Sequence, residues 1–155
     1  VAVAGLGEGG GETAGWLAVA ARRIIAMTHG NLFLASVVIL WSSAFISAII
    51  DNIPFTATMI PVIASIAGTL HPELAGTTAC LHHPDIMPLW WSLALGVCLG
   101  GNGTLVGASA NIVVAGIAES TDTPINFMNF TKIGFPIMVL SIAICQVCLW
   151  LVFYR

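Results

Sequence analysis

Residues 47–63 read SAIIDNIPFTATMIPVI, and Asp51 within them is the only Asp, Glu, Lys or Arg between Ile24 and Pro72. A carboxylate inside an apolar run of membrane length costs about 2.5–3.5 kcal/mol on insertion, so chains keep one for a purpose. Asn52 and Pro54 follow it at once. Asn is a good helix N-cap and Pro suits the first helical turn, so a new half-helix is expected to begin there. The hydroxyls of Thr56 and Thr58 lie close by. A charge at a helix break within a membrane is how transporters commonly build an ion or substrate site. The alternative role for Asp51 is a purely structural hydrogen bond that holds the tip of a hairpin.

The composition sets the class. The chain is 58% hydrophobic and 7% charged, with a mean hydropathy of +1.01. Soluble domains carry roughly 25% charged residues, so an all-α membrane protein is expected. No charge falls between Asp85 and Glu119 or between Lys132 and Arg155. Both gaps exceed the roughly 20 residues that cross a bilayer. With four Lys and Arg in all, no basic patch for nucleic acid exists. The chain opens in an apolar stretch, VAVAGLG, without a signal-peptide pattern, and is expected to belong to a longer polypeptide.

Val1–Gly7 reads as the end of a preceding helix, followed by a glycine-rich break. Glu12–His29 reads as an interfacial connector helix, which Gly30-Asn31 ends. Residues 32–68 form an apolar pair of half-helices, Leu32–Ile50 and Phe55–Ala67, around the Asp51–Pro54 turn. They either cross the membrane twice or form a re-entrant hairpin. The hairpin is favoured, because a polar turn at membrane depth is tolerated when buried in protein or lining water. Gly68–Asp85 is a polar loop; its His71, His82, His83 and Asp85 have no specific metal spacing and read as solvated, with no metal expected. Residues 86–118 form a broken helix whose middle, LGGNGTLVGASAN, is rich in Gly and small polar residues. The halves are expected over Pro88–Cys98 and Asn111–Ala118. Glu119–Lys132 is a second loop, and residues 133–154 are a plain transmembrane helix.

Half-helix N-termini attract anions, and half-helix C-termini coordinate cations through their carbonyls. The candidate ion-binding set is therefore Asp51, Asn52, Pro54 and Thr56 at the first break, and Asn102, Gly103, Thr104, Ser109 and Asn111 at the second. Ser42, Ser43, Ser47, Gly96 and Ser141 read as residues for close helix packing. Gly101-Asn102-Gly103 lacks the strand and Lys of a nucleotide loop. No nucleophile–His–acid set lies in the apolar segments, so an enzyme is not expected. The four cysteines form no metal or disulfide framework.

SAIIDNIPFTATMIPVI, together with ALGVCLGGNGTLVGASANIVVAGIAE over residues 94–119, resembles motifs of the ArsB/NhaD and citrate-permease type ion transporters. The resemblance is closest to the permeases related to the melanosomal P protein. It implies a polytopic helical transporter of two inverted repeats, each with a re-entrant hairpin and a broken transmembrane helix. Residues 32–155 would be the C-terminal repeat, a transporter half. Implied partners are the lipid bilayer, a small ion substrate and the N-terminal repeat of the same protein, with a homodimer as a further candidate. No cofactor is implied, and Na⁺ or H⁺ is the candidate coupling ion for secondary active transport by alternating access. In the related dicarboxylate symporters the hairpin tip carries Ser-Asn-Thr. Here it reads Asp-Asn-Ile-Pro, and a fixed carboxylate favours a cation or proton at that place. Na⁺/H⁺ exchange of the NhaD type, a channel lined by the same breaks and a non-transporting scaffold are the competing readings.

Overall fold

The computed structural model describes residues 19, 21–28, 30–121 and 123–155. The expected end of a preceding helix over 1–7, the glycine break and the start of the connector lie outside the described residues. Those described are mainly helical, and no strand occurs among them. Six helices follow residues 21–27, which are themselves helical: α1 (Leu32–Ser47), α2 (Asn52–Leu70), α3 (Thr78–Leu81), α4 (Met87–Gly100), α5 (Ser109–Ala118) and α6 (Phe127–Phe153).

Side-chain caps set several boundaries. Asn31 Oδ1 accepts from the N–H groups of Phe33 and Leu34 at 2.9 and 3.4 Å and starts α1. Gly30 before it has φ +73°, a left-handed turn that glycine adopts without steric cost. The cap of α2 is Asp51, not Asn52 as the sequence suggested: its Oδ1 accepts from the Asn52 N–H at 2.8 Å. Hence α2 starts at Asn52 rather than Phe55, with Pro54 in its first turn, where a missing N–H costs nothing. Pro61 lies inside α2 without ending it. Asn126 caps α6 by accepting from the Met128 N–H at 3.1 Å. That helix therefore begins at Phe127, well before Ile133, because the polar residues Asn129, Thr131 and Lys132 do not prevent a helix once a cap is supplied. The loop expected over residues 68–85 is also partly helical, holding a 3₁₀ turn over Pro72–Leu74 and the short α3.

Helix α1 packs chiefly along α4, and α4 also meets α6 and α2. Ile39 of α1, Val62, Ile63 and Ile66 of α2, and Leu89, Leu93 and Val97 of α4 form one buried cluster. Ala21 joins it, and Ile24 and Ile25 pack on its edge, so the connector leans on the wide end of the hairpin while Arg22 and Arg23 stay exposed. A second cluster joins Leu40, Ala44 and Ala48 of the hairpin to Met138, Ile142 and Leu149 of α6. The Tyr154 hydroxyl closes the unit by donating to Leu32 O at 3.0 Å, and its ring meets Phe33 edge-on.

The α1–α4 contact depends on small residues. A Cβ at Gly96 would lie 2.5 Å from Leu40 O, and one at Gly100 would strike the Ala44 backbone. This is the close backbone approach that small residues four apart permit in membrane helices. Elsewhere the surface is greasy. Helix α5 buries only Ala115 and leaves Ile112, Val113, Val114 and Ile117 exposed. Helices α2 and α6, of 19 and 27 residues, are long and apolar enough to cross a membrane.

Gly100→Leu in the full-length protein is expected to cost at least the 1–3 kcal/mol typical of overpacking, seen as a lower melting temperature in detergent. Gly116→Ala, where an added Cβ meets nothing within 4 Å, is expected to hold or raise it.

Candidate functional site

Both breaks in the helices arrive at one place. The first is the turn from Ala48 to Asp51 between α1 and α2. The second is the stretch from Gly101 to Ala108 between α4 and α5. Three side chains tie them together. Ser47 Oγ donates to Val97 O at 2.8 Å, across fifty positions of sequence. The Asn52 amide nitrogen faces Ser47 Oγ at 2.5 Å, Val97 O at 3.2 Å and Gly107 O at 3.3 Å. Thr104 donates its hydroxyl to Ala48 O and accepts at the same oxygen from the Gly107 N–H at 3.1 Å. Within the second break, Asn111 Nδ2 donates to Gly101 O at 3.0 Å and Thr104 O at 3.1 Å, pinning α5 to the end of α4.

These bonds meet a defined need. The last carbonyls of a helix have no partner within it, and α1 and α4 both end here. Gly107 shows how tightly their ends converge. A Cβ there would lie 2.8 Å from Gly101 O, 3.0 Å from Ser47 O and 3.1 Å from Ala48 O. Three carbonyl oxygens from two helix C-termini thus surround one backbone atom, and any larger side chain would push them apart. The negative ends of two helix dipoles are concentrated beside the tip.

Asp51 stands at the edge of this cluster, half-buried, with Oδ1 engaged by its cap bond. Among the described residues Oδ2 makes no hydrogen bond, so the carboxylate keeps acceptor capacity for an incoming group. At the start of α5, Ala108 offers no side-chain cap, which leaves the first turn at Ser109 with free N–H groups.

Of the residues singled out in the sequence, Asn52, Thr104 and Asn111 share the network, and Asp51 adjoins it. Gly103 lies at the break with its Cα against Met138 of α6. Thr56 turns its hydroxyl back onto Asn52 O at 2.8 Å, and Pro54 is exposed in the first turn of α2. Asn102 is not gathered in. It is exposed and lines a separate groove of about 510 Å³ with Asn129, Phe130 and Ile133. Ser47 is the residue that sequence reading passed over as packing. Its position one turn before Asp51 was the available signal, but a serine there looks the same whether it packs or bridges.

With this geometry in view, comparison with protein families matches residues 1–96 to the citrate transporter family. The chain belongs to that family. Curated relatives of this citrate transporter family chain include the P protein of Sus scrofa, 52% identical over 111 residues, which are 72% of this chain and 12% of that protein. The human P protein is 50% identical over a similar stretch. A 46 kDa membrane protein of Mycobacterium leprae is 44% identical over 131 residues, 84% of this chain and 28% of that one. The chain therefore spans under a third of the length of these relatives. No solved structure matches it. The family resemblance read from the motifs is thus shown, and the family and its relatives point to a membrane transporter.

Asn111→Ala is expected to strip Gly101 O and Thr104 O of their donor, at about 1–3 kcal/mol per orphaned group. Thermal unfolding of the full-length protein in detergent should show the loss, while Asn129→Ala, on the exposed groove, should leave the midpoint unchanged.

Proposed function

We propose that the two breaks form one half of the ion site of a secondary active transporter coupled to Na⁺ or H⁺, in which Asp51 binds the coupling ion. The observation that carries this reading is the convergence of two half-helix C-termini beside a carboxylate with a free oxygen. Carbonyl ends and carboxylates are the ligands that hard cations take. Asn52, Thr104 and Asn111 hold that arrangement rigid, and the uncapped N-terminus of α5 supplies a contrasting positive end for an anion. Of the expected set, Asp51, Asn52, Gly103, Thr104, Ser109 and Asn111 are kept with two roles, while Pro54 and Thr56 only shape the start of α2 and Asn102 belongs to the separate groove. Asp51 and the backbone near Ser109 contact ions, and the amides and hydroxyls shape the site.

Depth supports a re-entrant hairpin. Helix α6 is 27 residues long, about 40 Å at 1.5 Å per residue. The Cα of Gly134 lies close to Asn102 O and that of Gly103 close to Met138 Sδ. The breaks therefore sit about 10–16 Å in from the start of α6, within its length rather than at an end. Exposed Ile49, Ile50 and Ile53 around them are suited to lipid or to the opposite repeat rather than to water. In this reading the remaining half of the site comes from the N-terminal repeat. The hairpin and broken helix move as one body against a scaffold, giving alternating access in a multi-pass protein.

The family's description names citrate, which makes a tricarboxylate the first anion to test. Asp51 itself favours a second reading, Na⁺/H⁺ exchange, since a bare carboxylate repels an anion until a cation or proton neutralises it. Full-length protein in sealed vesicles with a pH-sensitive dye separates the two. Collapse of an imposed proton gradient on adding Na⁺ identifies exchange; Na⁺- or H⁺-driven tracer citrate uptake identifies symport. In either case Asp51→Asn should cut coupled flux by about tenfold or more, the weight of one charge-assisted contact. Folding should survive, because Asn caps helices as well as Asp. Full coupled flux in Asp51→Asn would remove the carboxylate from the mechanism.

A further inference from the structure

At the end of the hairpin away from Asp51, the fold collects a second polar cluster that the transport reading does not use. His71 is the C-cap of α2. His83 and Asp85 lie just ahead of α4. Their side chains meet: His71 Nε2 is 3.7 Å and His83 Nδ1 is 3.4 Å from Asp85 Oδ2, and the centroids of the two imidazoles, tilted by 36°, are 3.9 Å apart. One potential ligand atom from each of the three lies within 4.8 Å of the others. His82, next in sequence to His83, is excluded, because its Nδ1 turns to Thr78 O at 2.8 Å.

We infer that His71, His83 and Asp85 bind a divalent transition-metal ion of the zinc class, with Glu73 orienting His71. The distances favour a metal over a bare hydrogen-bonded cluster. Charge-assisted N–H···O⁻ bonds close to about 2.7–2.9 Å. Ligand atoms about 2.0–2.1 Å from a tetrahedral metal stand about 3.3–3.5 Å from one another; the His83–Asp85 pair at 3.4 Å has that spacing, and the His71–Asp85 pair at 3.7 Å lies just above it. His83 Nδ1 meets both the backbone N–H of Asp85, at 3.4 Å, and its carboxylate Oδ2, at 3.4 Å. A cation placed between the imidazole and the carboxylate would be bound by both.

The surroundings supply what a metal site needs beyond its ligands. His71 Nδ1 lies 3.5 Å from Glu73 Oε1, near enough for that carboxylate to close on it once Nε2 holds a metal. Metal-bound histidines are oriented this way, and loss of such a partner costs 10–100-fold in affinity. The His71 and His83 side chains are 18% and 32% exposed and Asp85 is 54% exposed, leaving an open fourth position for water. The ligands come from both sides of the loop between α2 and α4. The ion would therefore clamp the wide end of the hairpin to the start of the broken helix.

The test uses full-length protein purified in detergent, with Co²⁺ as the spectroscopic probe and Zn²⁺ as competitor. Visible absorption characteristic of tetrahedral Co²⁺, displaced by one equivalent of Zn²⁺, is expected. His83→Ala and Asp85→Asn should each weaken binding at least tenfold and abolish the Zn²⁺-induced rise in melting temperature, while His82→Ala leaves both unchanged. Glu73→Gln, a substitution at an exposed site, should weaken binding about 10–100-fold and serves even if His71→Ala fails to fold. Binding and melting shift that are equal in the unsubstituted protein, His83→Ala and Asp85→Asn would overturn the assignment. So would folded protein that gives no tetrahedral Co²⁺ spectrum.

Discussion

Interrupting a helix in an apolar setting leaves carbonyl groups that must be satisfied without water, and the rest of this structure is arranged around that constraint. Two helices, α1 and α4, end against one another. Each supplies acceptors, and each break supplies the donors the other needs: Ser47 and Asn52 reach Val97 and Gly107, and Thr104 reaches Ala48. An unpaired polar group in hydrocarbon costs several kcal/mol, so neither break is tenable alone. This dependence explains why α1 and α4 pack so closely, with Gly96 and Gly100 in place of larger side chains. A thicker interface would pull the two polar ends out of register.

The same network separates holding from binding. Asn52, Thr104 and Asn111 spend their donors on backbone carbonyls of the breaks themselves. Asp51 caps α2 with one oxygen and keeps the other free, while the start of α5 is left uncapped. The groups with capacity to spare thus lie at the rim of a rigid, internally satisfied core. In the proposed transport cycle, such preorganisation would let ions exchange at the rim without rebuilding the backbone.

Much of this was legible in the sequence, for physical reasons. An isolated Asp in a lipid-length run and a glycine–amide–hydroxyl stretch in another are costly patterns, so both breaks could be located. Their partnership was legible in outline, through the general behaviour of discontinuous helices and through the family resemblance. Exact boundaries were not. Whether Asp51 or Asn52 caps α2 depends on one residue of register, and both side chains are able caps. Helix α6 starts earlier than its apolar run because Asn126 supplies a cap that hydropathy does not register. Ser47 was missed because a serine's hydroxyl can satisfy itself on its own helix, as Ser42 does on Val38 O, and only the position of Val97 shows that it does not. The meeting of His71 with His83 and Asp85 is equally invisible in spacing, because the turn of the chain over Pro72–Leu74 and α3 creates it.

The bond from Ser47 to Val97 spans fifty positions, and that separation bears on how the protein is made. At about 5–20 residues per second, ribosomal synthesis reaches the tip of the hairpin several seconds before it delivers the carbonyl that Ser47 needs. During that interval the tip carries Asp51 and Asn52 with no partner from α4 or the second break. A hairpin in that condition cannot rest in hydrocarbon by itself. If the hairpin is re-entrant, as proposed, insertion of α1 and α2 would wait, in the translocation channel or at the wet face of the bilayer, until α4 emerges and the polar ends can enter the membrane together.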